Sequence, residues 1–286
     1  MGESPLRFPL SEATLRSVVQ AALDEDGAHH DITTLATIPA DVDARAVLVA
    51  RAAGVIAGVP LALEAFRQLD PALRAHVVVP DGTAVAAGTT LITLDGRARA
   101  LLSAERTALN FVMHLSGVAT ATSRLVAAAQ GTRARILDTR KTIPGWRVLE
   151  KYAVRCGGGT NHRLDLRAAV LIKDNHLTIA GTQLDAAIAQ ARALAPAGTK
   201  IEVECDTREQ VELALAAGAD IVMLDNMSLD DMRACVALIA GRAVVEASGG
   251  VGLDTVRAIA ETGVDWISSG ALTHSAPALD LALDFV

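Results

Sequence analysis

The strongest constraint on the fold is an alternation of short apolar segments and helical segments that begins after Gly131. Apolar runs of this kind are typical of buried strands in a parallel sheet, and the intervening helices would cover that sheet. The predicted strands are 133–137, 168–173, 200–204, 220–224, 243–247 and 264–268. The predicted helices between them are 182–195, 207–218, 228–241 and 253–263. Capping boxes at Thr207 with Gln210 and at Ser228 with Asp231 support two of these helix starts. This part of the chain is therefore predicted to be α/β.

Polar residues follow nearly every predicted strand, at the point where the strand ends. They are residues 138–141, 173–176, 204–206, 225–226, 248–250 and 269–270. An open, doubly wound sheet would carry such residues only around its switch point, whereas all strands of a βα barrel end at one mouth. The placement therefore favours a barrel with a site at its mouth.

The chain before Ser103 shows a different pattern. Ser11–Asp26 has the features of an amphipathic helix, and short apolar segments broken by glycines follow it. Turn signals at 80–82 and at Gly88 predict a small β module. Such a module is similar to the domains that carry lipoyl or biotinyl groups, but those domains need a lysine at a hairpin tip. No lysine occurs between Arg74 and Arg97, so a carrier function is not expected.

Residues 104–130 carry apolar residues at helical spacing. Because glycine weakens a helix interior, we expect two helices that meet near Gly117.

The composition argues against several classes of function. Aromatic residues make up 2% of the chain and the formal net charge is −7, so neither base stacking nor phosphate attraction favours nucleic-acid binding. No apolar run approaches the roughly 20 residues that cross a bilayer, and the first residues lack the features of a signal peptide. Cys156, Cys205 and Cys235 show no metal-ligand spacing. We therefore expect a cytoplasmic protein that binds neither nucleic acid nor a membrane.

Positive charge is concentrated in one segment of this acidic chain. Residues 131–173 contain 10 Lys and Arg against 3 Asp and Glu, a local charge of +7, which leaves −14 for the remainder. Arg140, Lys141, Arg163 and Lys173 lie at or near predicted strand ends, where arginine suits bidentate contact with a carboxylate or phosphate and lysine acts as a point charge. These residues predict an anionic ligand. The other basic residues are better explained as a solvated face: Arg133, Arg135, Arg147 and Lys151.

The later strands end in complementary groups. Ser248–Gly250 and Ser269–Ala271 follow successive strands, and βα barrels often bind phosphate in the loops after their last two strands. Glu204 and Asp225 end the two strands before them. Carboxylates beside a basic mouth are explained by Mg²⁺ or by sugar hydroxyls, although Asp225 could also be an ordinary strand terminator. The set predicts a phosphorylated sugar together with a carboxylate ligand.

Three consecutive glycines, Gly157–Gly159, precede Asn161, His162 and Arg163. Glycine lets the backbone approach a ligand closely or adopt a positive φ angle. The run is either a ligand-binding loop or a structural turn, and the sequence leaves both interpretations open.

Several motifs in a fixed order identify the family that the chain resembles. They are DITT (31–34), AERTALN (104–110), DTRKTIPG (138–145), EKYAVRCGGGTNHR (150–163), LIKDNH (171–176), IEVECD (201–206), VMLDNM (222–227), ASGGV (247–251) and GALTHS (270–275). On these motifs the chain resembles the quinolinate phosphoribosyltransferases. The resemblance implies an α/β fold: an N-terminal α/β sandwich domain over residues 1–116 and an open, incomplete TIM-like α/β barrel over residues 117–273. It also implies that residues 274–286 return to the N-terminal domain.

The resemblance implies a reaction that joins quinolinate to phosphoribosyl pyrophosphate. The products are nicotinate mononucleotide, pyrophosphate and CO₂, in a step of NAD biosynthesis. By motif, Arg140, His162 and Arg163 would hold the quinolinate carboxylates. Arg106 would be contributed by the neighbouring subunit of a homodimer with shared active sites.

The resemblance also implies roles toward the second substrate and a Mg²⁺ cofactor. Lys141 and Lys173 would contact phosphoribosyl pyrophosphate and its leaving group. Glu204 and Asp225 would bind the ribose hydroxyls or Mg²⁺, directly or through water. These four are the expected catalytic residues. The remaining expected substrate contacts are Thr139, Ser248, Gly249, Gly250, Ser269, Gly270, Ala271 and His274.

Three other functions stay open at the level of sequence. A relative associated with molybdate transport shares the fold, but Arg140, His162 and Arg163 favour quinolinate. Lys173 at a strand end would also suit a Schiff-base aldolase. A non-catalytic scaffold is disfavoured because every motif position expected to do chemistry is filled.

Overall fold

The structure, a computed structural model, describes residues 6–286 and divides the chain into two compact units. The first unit contains the chain up to Ser123 with Val148–Gly158 and Ala276–Val286, and the second contains Arg124–Arg147 and Gly159–Ser275. The predicted N-terminal domain begins at residue 1, and its first five residues lie outside the described residues. Residues 117–123 and 148–158, which the sequence analysis assigns to the barrel, belong to the first unit because they continue or contact one long helix there.

The first unit combines helices with a small antiparallel sheet. Its helices are α1 (Glu12–Glu25), α2 (Ile32–Thr37), α3 (Val59–Leu69), α4 (Ala98–Ala128, whose end enters the second unit) and α5 (Arg147–Cys156), with a 3-10 turn at Ala28–His30. Its strands are β1 (Asp43–Ala50), β2 (Gly54–Val55), β3 (Arg74–Val77), β4 (Ala84–Val85), β5 (Thr90–Arg97) and β12 (Leu281–Phe285). The main sheet has the order β12–β1–β5–β3, and β2 pairs with β4. The C-terminal strand β12 pairs antiparallel with β1 and so completes the sheet of this unit.

The second unit is a parallel six-stranded sheet with helices between its strands. The strands are β6 (Arg135–Leu137), β7 (Val170–Ile172), β8 (Ile201–Cys205), β9 (Ile221–Asp225), β10 (Val244–Ser248) and β11 (Trp266–Ser268). The helices are α6 (Asp174–Ala180), α7 (Leu184–Leu194), α8 (Arg208–Ala216), α9 (Leu229–Ile239), α10 (Leu253–Ala260) and α11 (Ala271–His274). The strand order is β6–β11–β10–β9–β8–β7, so β6 and β7 are the edges of an open sheet. The predicted fold class is confirmed. Within residues 6–286, every helix falls short of the length or the apolar character that crossing a bilayer requires.

Local sequence signals explain where the helices of the second unit begin and end. Thr207 and Gln210 form the predicted capping box of α8, and the Ser228 side chain accepts the N–H of Asp231 at the start of α9. Glycines follow the ends of α8, α9 and α10 with positive φ angles, as is usual after a helix: Gly218, Gly241 and Gly263. Each helix returns the chain to the start of the next parallel strand. The strands therefore all end on one side of the sheet.

The prediction of two helices that meet near Gly117 is wrong. Helix α4 runs without a break for 31 residues. A Cβ at Gly117 would lie 2.2 Å from the carbonyl oxygen of Pro277, and the N–H of Leu279 donates to the carbonyl of Met113 at 2.9 Å. Gly117 thus makes room for the C-terminal segment against the helix. Such a long-range contact leaves no local signal in the sequence.

Two of the three glycines in Gly157–Gly159 have structural explanations. A Cβ at Gly157 would lie 2.3 Å from the carbonyl oxygen of Ala119 and 2.7 Å from Cβ of Thr122. Gly158 has a φ angle of 81°, which favours glycine. These two glycines therefore serve the turn that ends α5.

We expect Gly157→Ala to lower the free energy of unfolding by about 2–3 kcal/mol, because the new methyl group meets backbone atoms that cannot move aside. Denaturant unfolding measures this loss. Gly252→Ala is the matched control, since Gly252 has an extended backbone and a Cβ there would meet no atom within 4 Å. Equal losses in both variants would show that the close contact at Gly157 is not the cause.

Candidate active site

A pocket of about 490 Å³ opens at the carboxyl ends of the parallel strands. Because side chains alternate between the two faces of a strand, residues two apart on β8, β9 and β10 point the same way. The pocket lies against one such face. The predicted substrate residues that line it are Thr139, Arg140, Lys141, His162, Arg163, Lys173, Glu204, Asp225, Ser248, Gly249 and Gly250.

Further residues line the pocket for which no role was predicted from the sequence. They are Leu171, Met223, Asn226, Glu246 and Ser268. Four of them stand two positions before a residue that was predicted, as Glu246 stands before Ser248 and Met223 before Asp225. The period-two rule for strands, applied backwards from each strand end, would have found these four. Asn226 was noted among the polar residues after a strand, but that position alone did not indicate its role.

Ser269 lies beside the pocket but faces away from it. Its side chain is buried, and its hydroxyl donates to the carbonyl of Val251 at 3.1 Å. The neighbouring Ser268 lines the pocket instead. While this hydrogen bond is in place, the Ser269 hydroxyl has no proton left to donate to a substrate.

Arg106 lies on α4 in the first unit and is exposed. It lines a different pocket, of about 510 Å³, together with His30, Asp31 and Ser103. Asp31 caps α2 through the N–H of Thr34 and also accepts the hydroxyl of Ser103 at 3.1 Å. The motifs DITT and AERTALN are thus brought together within the first unit.

Arg140 and Arg163 place two positive charges in the pocket of the second unit. Arg140 Nε is buried and has no hydrogen-bond partner among the described residues. Arg163 donates from Nη1 to the carbonyl of Ala169 at 2.9 Å. Burial and the charge of Arg140 lower the pKa of Arg163, which means that the two guanidinium groups repel each other. A ligand carboxylate would satisfy the buried donor and offset this repulsion.

Lys141 leaves the backbone toward a different part of the pocket. A Cβ at Gly270 would lie 2.7 Å from Lys141 Cδ and 3.2 Å from His274 Nε2, so the lysine stem passes over Gly270 at the start of α11, where Ala271 and His274 also lie. Thr273 Oγ1 donates to the Lys141 carbonyl at 2.6 Å, and the Lys141 N–H donates to Thr139 Oγ1 at 3.0 Å. Adjacent cations at positions 140 and 141 therefore face different groups.

Lys173 and two carboxylates form the polar side of the pocket. Lys173 Nζ is paired with Glu204 Oε2, and Asp225 Oδ2 accepts Asn226 Nδ2 at 2.8 Å. Glu204 and Asp225 stand at the ends of the neighbouring strands β8 and β9. A Schiff-base lysine needs its amine free to attack a carbonyl carbon, whereas Lys173 Nζ is held by Glu204. This geometry disfavours the aldolase alternative.

Asp138 joins two of the sequence motifs beneath the pocket. This buried carboxylate accepts the N–H of His162 at 2.9 Å through Oδ1 and Asn161 Nδ2 at 2.5 Å through Oδ2. Leu137 and Thr160 form an isolated parallel bridge beside it. The DTRKT and GGGTNHR segments are therefore held against each other.

Two glutamates in strands that were predicted to be apolar contact His162, and one of them, Glu246, also lines the pocket. Glu202 and Glu246 are 0% exposed, and His162 Nε2 lies 3.2 Å from Glu202 Oε2 and 3.3 Å from Glu246 Oε2. Burial disfavours the charged ring, but hydrogen bonds to the two glutamates and their charges raise the pKa of His162 to about 10. Burial raises the pKa of Glu202, opposed by His162 and reinforced by Glu246. The cluster holds the His162 ring in place.

The spacing of this cluster resembles that of a metal site, since one ligand atom from each residue lies within 4.8 Å of the others. The second ring nitrogen argues otherwise, because His162 Nδ1 accepts the N–H of Arg163 at 2.8 Å. In this geometry Nδ1 carries no proton, so the Arg163 N–H holds the ring neutral against the effect of the two glutamates. The one ring proton then lies on Nε2, where a metal would have to bind. Both nitrogens contact protein atoms, and a hydrogen bond from His162 to a ligand would require one of these contacts to change.

The turn after β10 presents backbone to the pocket. Gly249 and Gly250 have φ angles of 93° and 59°, which glycine adopts without strain. The turn leads into α10, whose first residue is Leu253. Backbone N–H groups ahead of a helix suit a phosphate group.

Comparisons with known proteins are consistent with this geometry. Residues 31–116 match the family model for the N-terminal domain of quinolinate phosphoribosyl transferase, and residues 118–284 match the model for its C-terminal domain. A carboxylating nicotinate-nucleotide pyrophosphorylase of Mycobacterium leprae is 44% identical over 275 residues, which cover 94% of this chain and 96% of that protein. A probable enzyme of the same name from Synechocystis is 47% identical over 241 residues, covering 83% and 81%. The solved nicotinate-nucleotide pyrophosphorylase of Francisella tularensis gives a TM-score of 0.92 at 39% identity and covers 99% of this chain and 100% of its own.

Proposed function

The chain belongs to the quinolinate phosphoribosyltransferase family, and we propose from this which residues carry out each part of its reaction. The enzyme is a pentosyltransferase of NAD biosynthesis that joins quinolinate to phosphoribosyl pyrophosphate and releases pyrophosphate and CO₂. One observation supports the assignment of roles best. A single pocket is lined by the carboxylates of Glu204 and Asp225 and by four cations: Arg140, Lys141, Arg163 and Lys173.

Quinolinate is held by the two arginines. The partnerless Nε of Arg140 and the neighbouring charge of Arg163 suit the two adjacent carboxylates of this substrate. His162 fixes the backbone of Arg163 through Nδ1 and lines the same pocket. Binding a dianion here removes the repulsion between the guanidinium groups, which favours a dicarboxylate over a monocarboxylate.

Phosphoribosyl pyrophosphate lies across the remainder of the pocket. Lys141 and Lys173 contact the pyrophosphate, and Glu204 and Asp225 receive the ribose hydroxyls. The 5′-phosphate lies against the turns after β10 and β11, which are Ser248, Gly249 and Gly250 and Ser269, Gly270 and Ala271, with Thr139 and His274 nearby. The N–H groups of Ser269 and His274 already donate to the carbonyls of Leu137 and Gly270, so other N–H groups of these turns bind the phosphate. The positive φ angles of Gly249 and Gly250 support this role for the turn after β10.

Mg²⁺ is the expected cofactor. This ion is usually bound by one or two carboxylates together with water and substrate phosphates. Glu204 and Asp225 fit that requirement, because both line the pocket from neighbouring strands, provided that Glu204 shares its oxygens with Lys173. When bound, the ion neutralises charge on the departing pyrophosphate.

The residues act on charge that develops in the transition state. The ring nitrogen of quinolinate forms a bond to the anomeric carbon while the bond from that carbon to pyrophosphate breaks with its electron pair. Lys141 and Lys173 stabilise the negative leaving group, and Glu204 and Asp225 stabilise positive charge on the sugar. The N-ribosylated ring is cationic, so it accepts the electron pair left when the adjacent carboxylate departs as CO₂. A proton then replaces the carboxylate on the ring carbon.

We also propose a cytoplasmic homodimer with shared active sites. Arg106 of one subunit would complete the partner's pocket, and its exposure on α4 supports this role. The cysteines of the described chain are free and buried, as is usual in a reducing compartment: Cys156, Cys205 and Cys235.

Product formation tests the proposed function. Incubation with quinolinate, phosphoribosyl pyrophosphate and Mg²⁺ should yield nicotinate mononucleotide, detected by chromatography, and equimolar CO₂ from quinolinate labelled at its 2-carboxyl group. Nicotinate is the matched control substrate. It should give far less product, because it lacks the second carboxylate that the arginine pair would hold. No product from quinolinate would contradict the proposal, and a borohydride-trapped adduct on Lys173 with a keto substrate would support the aldolase instead.

A further inference from the structure

Asn226 adopts an unusual backbone conformation at the edge of the pocket. Among residues 6–286, two residues other than glycine have positive φ angles, and they are Asn226 (52°) and Ala240 (47°). Ala240 ends α9, which is a common place for this conformation. Asn226 instead follows strand β9 and lines the pocket. Such backbone angles cost energy and concentrate at functional sites.

The contacts of Asn226 connect two parts of the pocket. Its Nδ2 donates to Asp225 Oδ2 at 2.8 Å, and its backbone N–H donates to the Ser248 carbonyl at 3.0 Å. Its side chain also lies directly against Gly249, where a Cβ would come within 2.1 Å of Asn226 Oδ1. One residue therefore touches both the carboxylate of Asp225 and the glycine turn after β10.

We propose that Asn226 is a positioning residue that fixes the separation between Asp225 and the turn Ser248–Gly250, so that the hydroxyls and the phosphate of one phosphorylated pentose bind together. The inference rests on the proposed roles of those two groups. Asparagine suits the task because it adopts a positive φ more readily than most residues. Its amide can also donate to a carboxylate, which an aspartate in its place could not do when ionised.

The test is a kinetic comparison of two variants with the wild type. Asn226→Gly keeps the backbone angle, since glycine adopts it freely, and loses both side-chain contacts. We expect the KM for phosphoribosyl pyrophosphate to rise about 10-fold or more, as for the loss of a hydrogen bond to a charged group, and the KM for quinolinate to stay within about twofold. Asn226→Asp keeps the shape of the side chain and removes the donor. It should also raise the KM for phosphoribosyl pyrophosphate and leave the KM for quinolinate nearly unchanged.

Calorimetry without Mg²⁺ gives a readout that does not depend on turnover. The wild type should bind ribose 5-phosphate more tightly than inorganic phosphate, because its hydroxyl and phosphate sites act together. In Asn226→Gly the ratio of these two affinities should fall about tenfold, with the affinity for inorganic phosphate nearly unchanged. Ala240→Gly is the matched control, because it changes the other residue with a positive φ at a site outside the pocket lining. It should leave both affinities as they are.

Two outcomes would overturn the proposal, provided that thermal unfolding shows a folded variant. Equal loss of affinity for both ligands would mean that Asn226 only supports the phosphate turn. An unchanged ratio of the two affinities would mean that Asn226 does not couple the hydroxyl site to the phosphate site. If the wild type itself fails to bind ribose 5-phosphate or to form nicotinate mononucleotide, the proposed function fails instead, so the two failures are distinguishable.

Discussion

Replacing Arg140 with alanine should raise the KM for quinolinate about 100-fold. The variant loses a charge-assisted pair of hydrogen bonds to a substrate carboxylate in a partly buried pocket. Arg140 Nε is already buried without a partner among residues 6–286, so its desolvation costs nothing further when substrate binds. The KM for phosphoribosyl pyrophosphate should change by less than about threefold, since Lys141 and Lys173 remain to hold its charged groups. Steady-state kinetics with each substrate varied in turn measure both constants.

The matched control for this variant is Arg135→Ala. Arg135 belongs to the same basic segment, but it is exposed at the start of β6 and does not line the pocket. Both KM values should stay close to those of the wild type. If Arg140→Ala raised the two KM values equally, the division of the adjacent cations between the two substrates would be wrong.

The excess of positive charge in this segment is balanced in part by a buried carboxylate next to the arginine pair, Arg140 and Arg163. The excess of cations between residues 131 and 173 is evident from the sequence, but the counter-charges inside the protein are not. Burial and Arg140 lower the pKa of Arg163, whereas the charge of Glu202 acts in the opposite direction. The buried Glu202 is therefore a counter-charge to Arg163 before any substrate is present. This arrangement is a form of preorganisation, since the charged groups are already in place before the substrate binds.

The parallel sheet could be predicted because its signals are local. Apolar strands, capping boxes such as Thr207 with Gln210, and glycines after helices depend only on neighbouring residues. The unbroken helix α4 through Gly117 could not be predicted, because that glycine makes room for Pro277, which is far away in the sequence. The membership of residues 148–158 in the first unit has the same origin, since Gly157 lies against Ala119.

Some residues of the candidate site could likewise be predicted from local sequence signals, and others could not. Residues at strand ends were found because charge at the end of an apolar strand is conspicuous in a sequence. Glu202 and Glu246 were missed because each was counted as part of an apolar strand, although a charged residue is almost never fully buried without a partner. Asn226 was among the polar residues noted at a strand end, but no role was predicted for it, for a different reason. Its importance lies in a backbone angle and in contacts with Asp225 and Gly249, and neither has a signature in composition or period.

The second large effect is expected from replacing Arg106, the arginine that we propose is shared between subunits. Arg106→Ala should lose most of its activity with quinolinate, although the arginine lies in the first unit and lines another pocket. If the partner subunit supplies this cation, the defect belongs to the neighbour's site and not to the site of the mutated chain. Two differently tagged variants, produced together and purified by both tags, separate these cases.

A purified hybrid of Arg106→Ala and Arg140→Ala subunits should recover about half of the wild-type activity, because a two-fold dimer then holds one site with both arginines intact and one site lacking both. The reciprocal hybrid joins a wild-type subunit to one that carries both substitutions. With shared sites it should be nearly inactive, since each of its sites lacks one arginine. If Arg106 instead served its own chain, the first hybrid would be inactive and the second would keep about half of the activity. The two hybrids thus give opposite results under the two arrangements, and a stability defect in either variant would lower both alike.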